Sequence, residues 1–134
     1  MSGNVSAASG KFPKSKHLLK HADFQRVYQG GRRQFTGNMT VFFLRRGPAQ
    51  DVPVGGPRVG FTVGKVLGDS VERNRIRRRM REAVRLSPQA CEVPVDVVFN
   101  PRKSVLTLPF AALRDEVARD LRLAAQRARV AEAK

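Results

Sequence analysis

Arg58-Val59-Gly60-Phe61-Thr62-Val63-Gly64 runs through Lys65-Val66-Leu67-Gly68-Asp69 into Ser70-Val71-Glu72-Arg73-Asn74-Arg75-Ile76-Arg77-Arg78-Arg79-Met80-Arg81-Glu82-Ala83-Val84-Arg85-Leu86. Within this segment the apolar period changes from two to about 3.6, which is how a strand feeding a helix reads. On the strand, Val59, Phe61 and Val63 take one side, and Gly60 and Thr62 the other. Wound at about 100° per residue, the second half puts Ile76, Met80, Ala83 and Val84 on one stripe. Asn74, Arg78, Arg81 and Arg85 fall opposite, with Arg73, Arg75, Arg77 and Arg79 on the flanks. Ser87-Pro88 ends the helix, because proline pushes the residue before it out of helical backbone.

Working outward, a first helix is predicted over Lys20 to Gln29, with Phe24, Val27 and Tyr28 as its apolar stripe and Gly30-Gly31 as its stop. Arg32 and Arg33 then lead into a strand of Met39 to Leu44. A Pro- and Gly-rich loop follows, from Gly47 to Pro57. Val95 to Phe99 reads as a third strand. A last helix is expected from Thr107, as N-cap with Pro109 in the first turn, and carries the stripe Phe110, Leu113, Val117 and Leu121. The order α-β-β-α-β-α predicts an α+β fold, a two-layer sandwich of helices on a small sheet. Three parts are expected: a flexible basic arm over residues 1–16 with Lys11, Lys14 and Lys16, one domain over 17–127, and a tail over 128–134.

The chain has 134 residues, enough for one core of ordinary size, and 41% of them are hydrophobic, including eight Phe. It carries 26 Lys and Arg against 11 Asp and Glu, a net charge of +15. Such an excess calls for a polyanionic partner, and nucleic acid leads because phosphate neutralisation dominates that kind of affinity. An anionic membrane surface is the rival, but it calls for a basic amphipathic helix with exposed Trp, Phe or Leu; the chain has no Trp. No apolar run reaches membrane-spanning length, and Met1 to Gly10 lacks the apolar core of a secretory signal. A single cysteine, Cys91, forms no internal disulfide and fits a reducing cytoplasm.

Seven arginines lie between positions 73 and 85, with only Glu72 and Glu82 to offset them. Like charges three and four residues apart on a helix repel by a few tenths of a kcal/mol per pair. A bound polyanion supplies the missing counter-charge, and the planar guanidinium contacts two phosphate oxygens at once. A merely solvated face is the bland reading, but such faces usually mix signs.

Arg73-Asn74-Arg75, followed by Arg77, Arg78 and Arg81, resembles the arginine–asparagine–arginine motif of the protein subunit of bacterial ribonuclease P. Arg58 to Lys65 is similar to the strand preceding that motif, Gly68-Asp69-Ser70-Val71 to the loop between, and Ala22 to Gly30 to the family's first helix. The resemblance runs from His17 to Arg127. It implies a cytoplasmic RNA-binding protein that assists a catalytic RNA, the two together removing the 5′ leader of precursor tRNA, with Mg²⁺ held mainly by the RNA. It implies that Arg73, Asn74, Arg75, Arg77, Arg78 and Arg81 face the catalytic RNA. It implies a cleft between the first helix and the sheet that takes the single-stranded leader, with Phe24, Tyr28, Phe42, Thr62 and Lys65 as its contacts. It also implies a left-handed β-α-β crossover, which nothing in the residues predicts; no membrane and no particular oligomer is implied.

Two features depart from the family pattern. Val66 stands where a second lysine is frequent, and Asn100-Pro101-Arg102-Lys103 replaces an arginine-containing turn. The residues themselves agree with a cleft: if Val59, Phe61 and Val63 face the core, Gly60 and Thr62 leave the other face low and open. Phe42 joins that face in one phase of its strand; Met39, Val41 and Phe43 join it in the other. A basic rim around aromatic rings holds single strands, each stacked base contributing roughly 1–3 kcal/mol. Phe24 at helical spacing is as readily core as cleft, whereas Tyr28 favours a wet edge. His17 and His21 lack a third ligand at metal spacing, and Gly60 to Lys65 has the wrong glycine spacing for a phosphate-binding loop. No catalytic residue and no protein metal site is predicted. The alternative function is a general RNA- or DNA-binding protein, ribosomal or architectural, without a part in cleavage.

Overall fold

The computed structural model describes residues 21–46, 57–87 and 94–133. The arm over 1–16, His17, most of the Gly47–Pro57 loop and Cys91 lie outside the described residues. The elements are α1 (His21–Gly30), β1 (Arg32–Phe35), β2 (Met39–Arg45), β3 (Arg58–Phe61), α2 (Ser70–Arg85), β4 (Val95–Pro101) and α3 (Phe110–Ala133), with short 3-10 turns at Lys65–Leu67 and Lys103–Leu106. The four strands form one mixed sheet in the order β1-β2-β4-β3. β1–β2 and β2–β4 pair antiparallel, while β3 and β4 pair parallel through α2. This is the α+β fold expected from sequence.

Three readings change. β1 is not among the predicted strands, because Arg32-Arg33-Gln34-Phe35 shows no apolar alternation; it is an edge strand held by its pairing with β2. β3 ends at Phe61 instead of Gly64, and β4 continues past Phe99 to Pro101. Thr107 does not cap α3: its hydroxyl lies 3.4 Å from the Ser104 carbonyl, at the end of a 3-10 turn, and the first helical bond runs from Leu113 N–H to Pro109 O at 3.1 Å. α3 itself runs to Ala133.

Met39, Val41 and Phe43 of β2, Val59 of β3, and Val95, Val97 and Phe99 of β4 point to one face of the sheet. There they meet Ile76, Met80, Ala83 and Val84 of α2, the stripe read from sequence, and Leu113 and Val117 of α3. α1 covers part of the opposite face through the fully buried Val27. Gly31 makes the turn from α1 into β1 possible: a Cβ there would lie 2.4 Å from the Val27 carbonyl oxygen and 2.6 Å from that of Phe43.

α1 is fixed by charge. Asp96 of β4 is fully buried and faces α1, and Arg26, Arg46 and Arg58 all converge on its carboxylate. Arg46 donates to Oδ1 at 2.9 Å, Arg58 to both oxygens at 2.9 Å, and Arg26 to Oδ2. Asp23 of α1 adds a second carboxylate, 2.9 Å from Arg26 and 3.4 Å from Arg58. Burial pulls the Arg46 guanidinium below its ordinary pKa against the pull of Asp96, while hydrogen bonding to Asp96 holds that of Arg58 above. Asp96→Asn leaves these cations without their shared counter-charge and is expected to destabilise the fold by about 3–5 kcal/mol, read as a lowered urea midpoint.

A second polar cluster ties the β1–β2 turn to α3. Glu116 accepts hydrogen bonds from the Asn38 amide nitrogen at 3.0 Å, Asn38 Nδ2 at 2.7 Å and the Thr36 hydroxyl at 2.8 Å. Burial pushes the Glu116 carboxyl up, but these bonds overcome it and its pKa ends below the usual value. Asp120, fully buried one turn later, has an Oδ1 with no hydrogen-bond partner, and burial lifts its pKa from 3.8 to about 6. The folded chain therefore holds this proton more tightly than the unfolded chain. The stability it contributes is complete below pH 3.8 and is lost as pH rises through about 6. Asp120→Asn is expected to raise the melting midpoint at pH 8 by roughly 3–8 °C and to do less at pH 4, as thermal melts at the two pH values will show.

Candidate nucleic-acid interface

The partly covered face of the sheet carries one group of side chains. Register sets Phe42 opposite both Arg33 and Val98, and Val98 opposite Gly60. Since Met39, Val41 and Phe43 point into the core, Phe42 takes the other face, which settles the phase that the sequence left open. Tyr28, near the end of α1 and 38% exposed, meets Phe42 edge to face, with centroids 4.9 Å apart and planes at 85°. Its hydroxyl donates to Asn100 Oδ1 at 3.0 Å and shares a 2.6 Å hydrogen bond with the Thr62 hydroxyl. Phe24 lies half-buried one turn earlier on α1, and Lys65 is exposed at the 3-10 turn that follows Thr62. The structure thus joins Tyr28, Phe42 and Thr62 directly, with Phe24 and Lys65 to either side.

Gly60 differs from expectation. It is buried, and only Thr62 is open, so the exposed floor is narrower than the alternation implies. Asn100 belongs to the group although the sequence reading does not place it there. Extending the alternation of β4 by one step would find it, because Asn100 shares the face of Val98.

The arginine helix lies on the other side of the sheet. Gly68, at φ 140°, makes the left-handed step before it; a Cβ there would come within 2.3 Å of Glu72 Oε1. Asp69 caps the helix by accepting from the Glu72 N–H at 2.8 Å, and Glu72 accepts in return from the Asp69 N–H at 3.1 Å. Asn74, Arg75, Arg78 and Arg81 are exposed, while Arg73 and Arg77 are half-buried. Arg77 donates to Asn74 Oδ1 at 2.9 Å and reaches the Val63 carbonyl at 3.5 Å.

The other two arginines are engaged within the protein. Arg79 donates to the Leu108 carbonyl and sits 5.9 Å from the Phe110 ring centroid. Arg85 forks onto Glu82, whose pKa its hydrogen bonds lower. What remains is an exposed guanidinium surface of Arg75, Arg78 and Arg81, a group whose planar fork matches two phosphate oxygens.

A family model described as Ribonuclease P matches residues 12–125. The chain belongs to the ribonuclease P protein family. It is 37% identical over 109 residues to the ribonuclease P protein component of Desulforapulum autotrophicum, covering 81% of this chain and 88% of that one. It is 38% identical over 112 residues to that of Chloroflexus aggregans, covering 83% and 78%. A solved Staphylococcus aureus ribonuclease P protein, a mutant defective in mRNA degradation, superposes with a TM-score of 0.67 at 24% identity, over 83% of this chain and 89% of that one. The role is that of a ribonuclease P protein component, in a ribonucleoprotein of tRNA processing, and RNA binding is the general function of the family. No helix among the described residues is long and apolar enough to cross a membrane.

For a ribonuclease P protein with this division of arginines, substitutions on α2 should separate into two classes. Arg75→Ala or Arg78→Ala is expected to weaken RNA binding and lower the slope of log K against log salt by roughly 0.7–0.9 for each phosphate that is no longer neutralised. Arg85→Ala is expected to leave that slope unchanged. Filter binding over a salt series reads both.

Proposed function

We propose that the chain binds the catalytic RNA of ribonuclease P through α2 and the 5′ leader of precursor tRNA through the groove between α1 and the sheet. Arg73, Asn74, Arg75, Arg77, Arg78 and Arg81 take the RNA subunit; Phe24, Tyr28, Phe42, Thr62 and Lys65, joined by Asn100, take the leader. The observation that carries this reading is the grouping of Tyr28 with Phe42, Thr62 and Asn100 on the face away from α2. Two different RNA surfaces thereby meet two sides of one small sheet. The groove suits a single strand: rings offer stacking without base preference, and the hydroxyls and amide meet base edges or sugar.

Cleavage itself belongs to the RNA and its Mg²⁺ in this reading. Mg²⁺ favours carboxylate and phosphate oxygen, and the groove does not fit it: its donors are a phenol, a hydroxyl, an amide and a lysine. The buried carboxylate nearest in kind, Asp96, is saturated by three guanidinium groups. The chain's part is to hold substrate and to neutralise phosphate where the two RNAs approach, in the cytoplasm.

Precursor tRNA incubated at low Mg²⁺ with the cognate RNA, with and without the protein, tests the assignment. The protein is expected to stimulate 5′ cleavage, and Tyr28→Ala to weaken binding of precursor while leaving mature tRNA unaffected. Equal weakening on both substrates would return Tyr28 to a purely structural role. Cleavage by the protein alone would refute RNA catalysis.

A further inference from the structure

Among the described residues β1 forms one edge of the sheet, and its outward side chains have no part in the groove assigned to the leader. Register sets Phe35 opposite Thr40, and Thr40 opposite Asn100. Thr62 follows the β3 residue paired with Phe99, and its N–H bonds the Phe99 carbonyl at 2.9 Å. Opposed residues share a face, so Phe35, Thr40, Asn100 and Thr62 form one row across the sheet. At about 4.8 Å per strand the row is roughly 14 Å long. The Tyr28 hydroxyl touches it at Asn100 and Thr62, and α1 leaves its far end uncovered: Phe35 is 64% exposed.

Phe35 is not a core residue that failed to be buried. The neighbouring edge residue on its face, Arg33, holds its guanidinium 5.1 Å from the Phe35 ring centroid and pairs with no carboxylate among the described residues. Arg32, on the opposite face, lies instead over the buried Phe43 ring at 6.0 Å, in a packing role. An exposed ring beside an unneutralised arginine, in line with the hydroxyl and amide groups of a single-strand groove, has the composition of one more nucleotide position.

We propose that Arg33 and Phe35 form a further nucleotide site at the β1 edge, where a base stacks on Phe35 and Arg33 takes the adjoining phosphate. The RNA strand then crosses the sheet along Thr62, Asn100, Thr40 and Phe35, with Lys65 near one end and Arg33 at the other. The site rests on the assignment of the groove to the leader and extends it to leader nucleotides beyond Tyr28. It also makes the protein sensitive to leader length, because only a longer leader reaches the edge strand.

The test uses the protein assembled with its catalytic RNA and precursor tRNAs whose leaders are shortened one nucleotide at a time from the 5′ end. With the wild type, affinity is expected to fall in steps as the leader shortens. Phe35→Ala and Phe35→Leu should lose the step made by the longer leaders, by at least about fivefold, the lower worth of one base–aromatic stack; Phe35→Trp should keep it. Arg33→Ala should reduce the salt slope by roughly 0.7 with the long leader only. Thermal melting of Phe35→Ala should match the wild type, since the ring is exposed. A Phe35→Ala series that overlays the wild type, or that weakens equally at every leader length, would overturn the site while leaving the groove intact. A wild type indifferent to leader length would instead refute the groove assignment, and the edge site with it.

Discussion

The Asp96 carboxylate, buried in β4 among Arg26, Arg46 and Arg58, is the contact on which the candidate site depends. A lone carboxylate in that position would cost several kcal/mol to desolvate. Three guanidinium groups, from α1, the end of β2 and β3, offset that cost by meeting at one point. The meeting fixes where α1 lies. Once Arg26 is anchored to Asp96, the same turn of α1 buries Val27 and sets Tyr28 over the face of the sheet, where Phe42, Thr62 and Asn100 receive it. A charge cluster thus positions an aromatic residue two places along the same helix from Arg26.

The same economy of charge runs through the rest of the molecule. A net charge of +15 would strain any small fold if the cations were spread evenly. Here several arginines are held by carboxylates, a carbonyl or a ring, as at Asp96, Glu82, Leu108 and Phe43. On the far side of the sheet from the groove, exposed guanidinium groups line both α2 (Arg75, Arg78 and Arg81) and α3 (Arg114, Arg119 and Arg122). Two RNA surfaces of different kind, one densely phosphorylated and folded, the other a single strand, can then be served without competing for the same side chains.

Much of this is legible in the residues. The stripe of Ile76, Met80, Ala83 and Val84 needs only the period of a helix. The phase of β2 is not legible, because Phe42 and Phe43 are equally apolar; pairing with β4 decides it. β1 escapes because Arg32-Arg33-Gln34-Phe35 is an edge strand without an apolar face, defined by its hydrogen bonds to β2 and not by its own pattern. Asp96 is visible as a charge within an apolar strand, but its partners lie 70, 50 and 38 residues away in sequence and only the fold brings them together. Asn100 stays hidden when β4 is ended one step too soon.

The central claim is that the leader lies against the α1–sheet groove and the catalytic RNA against α2. Photocrosslinking from a 4-thiouridine placed in the leader of a precursor tRNA, bound to the assembled ribonucleoprotein, tests it most directly. The account predicts that the crosslinked peptides come from α1 and β2, around Tyr28 and Phe42, and that a 4-thiouridine at the protein-facing surface of the catalytic RNA marks the peptides of α2. Leader crosslinks confined to the arginines of α2 would contradict it.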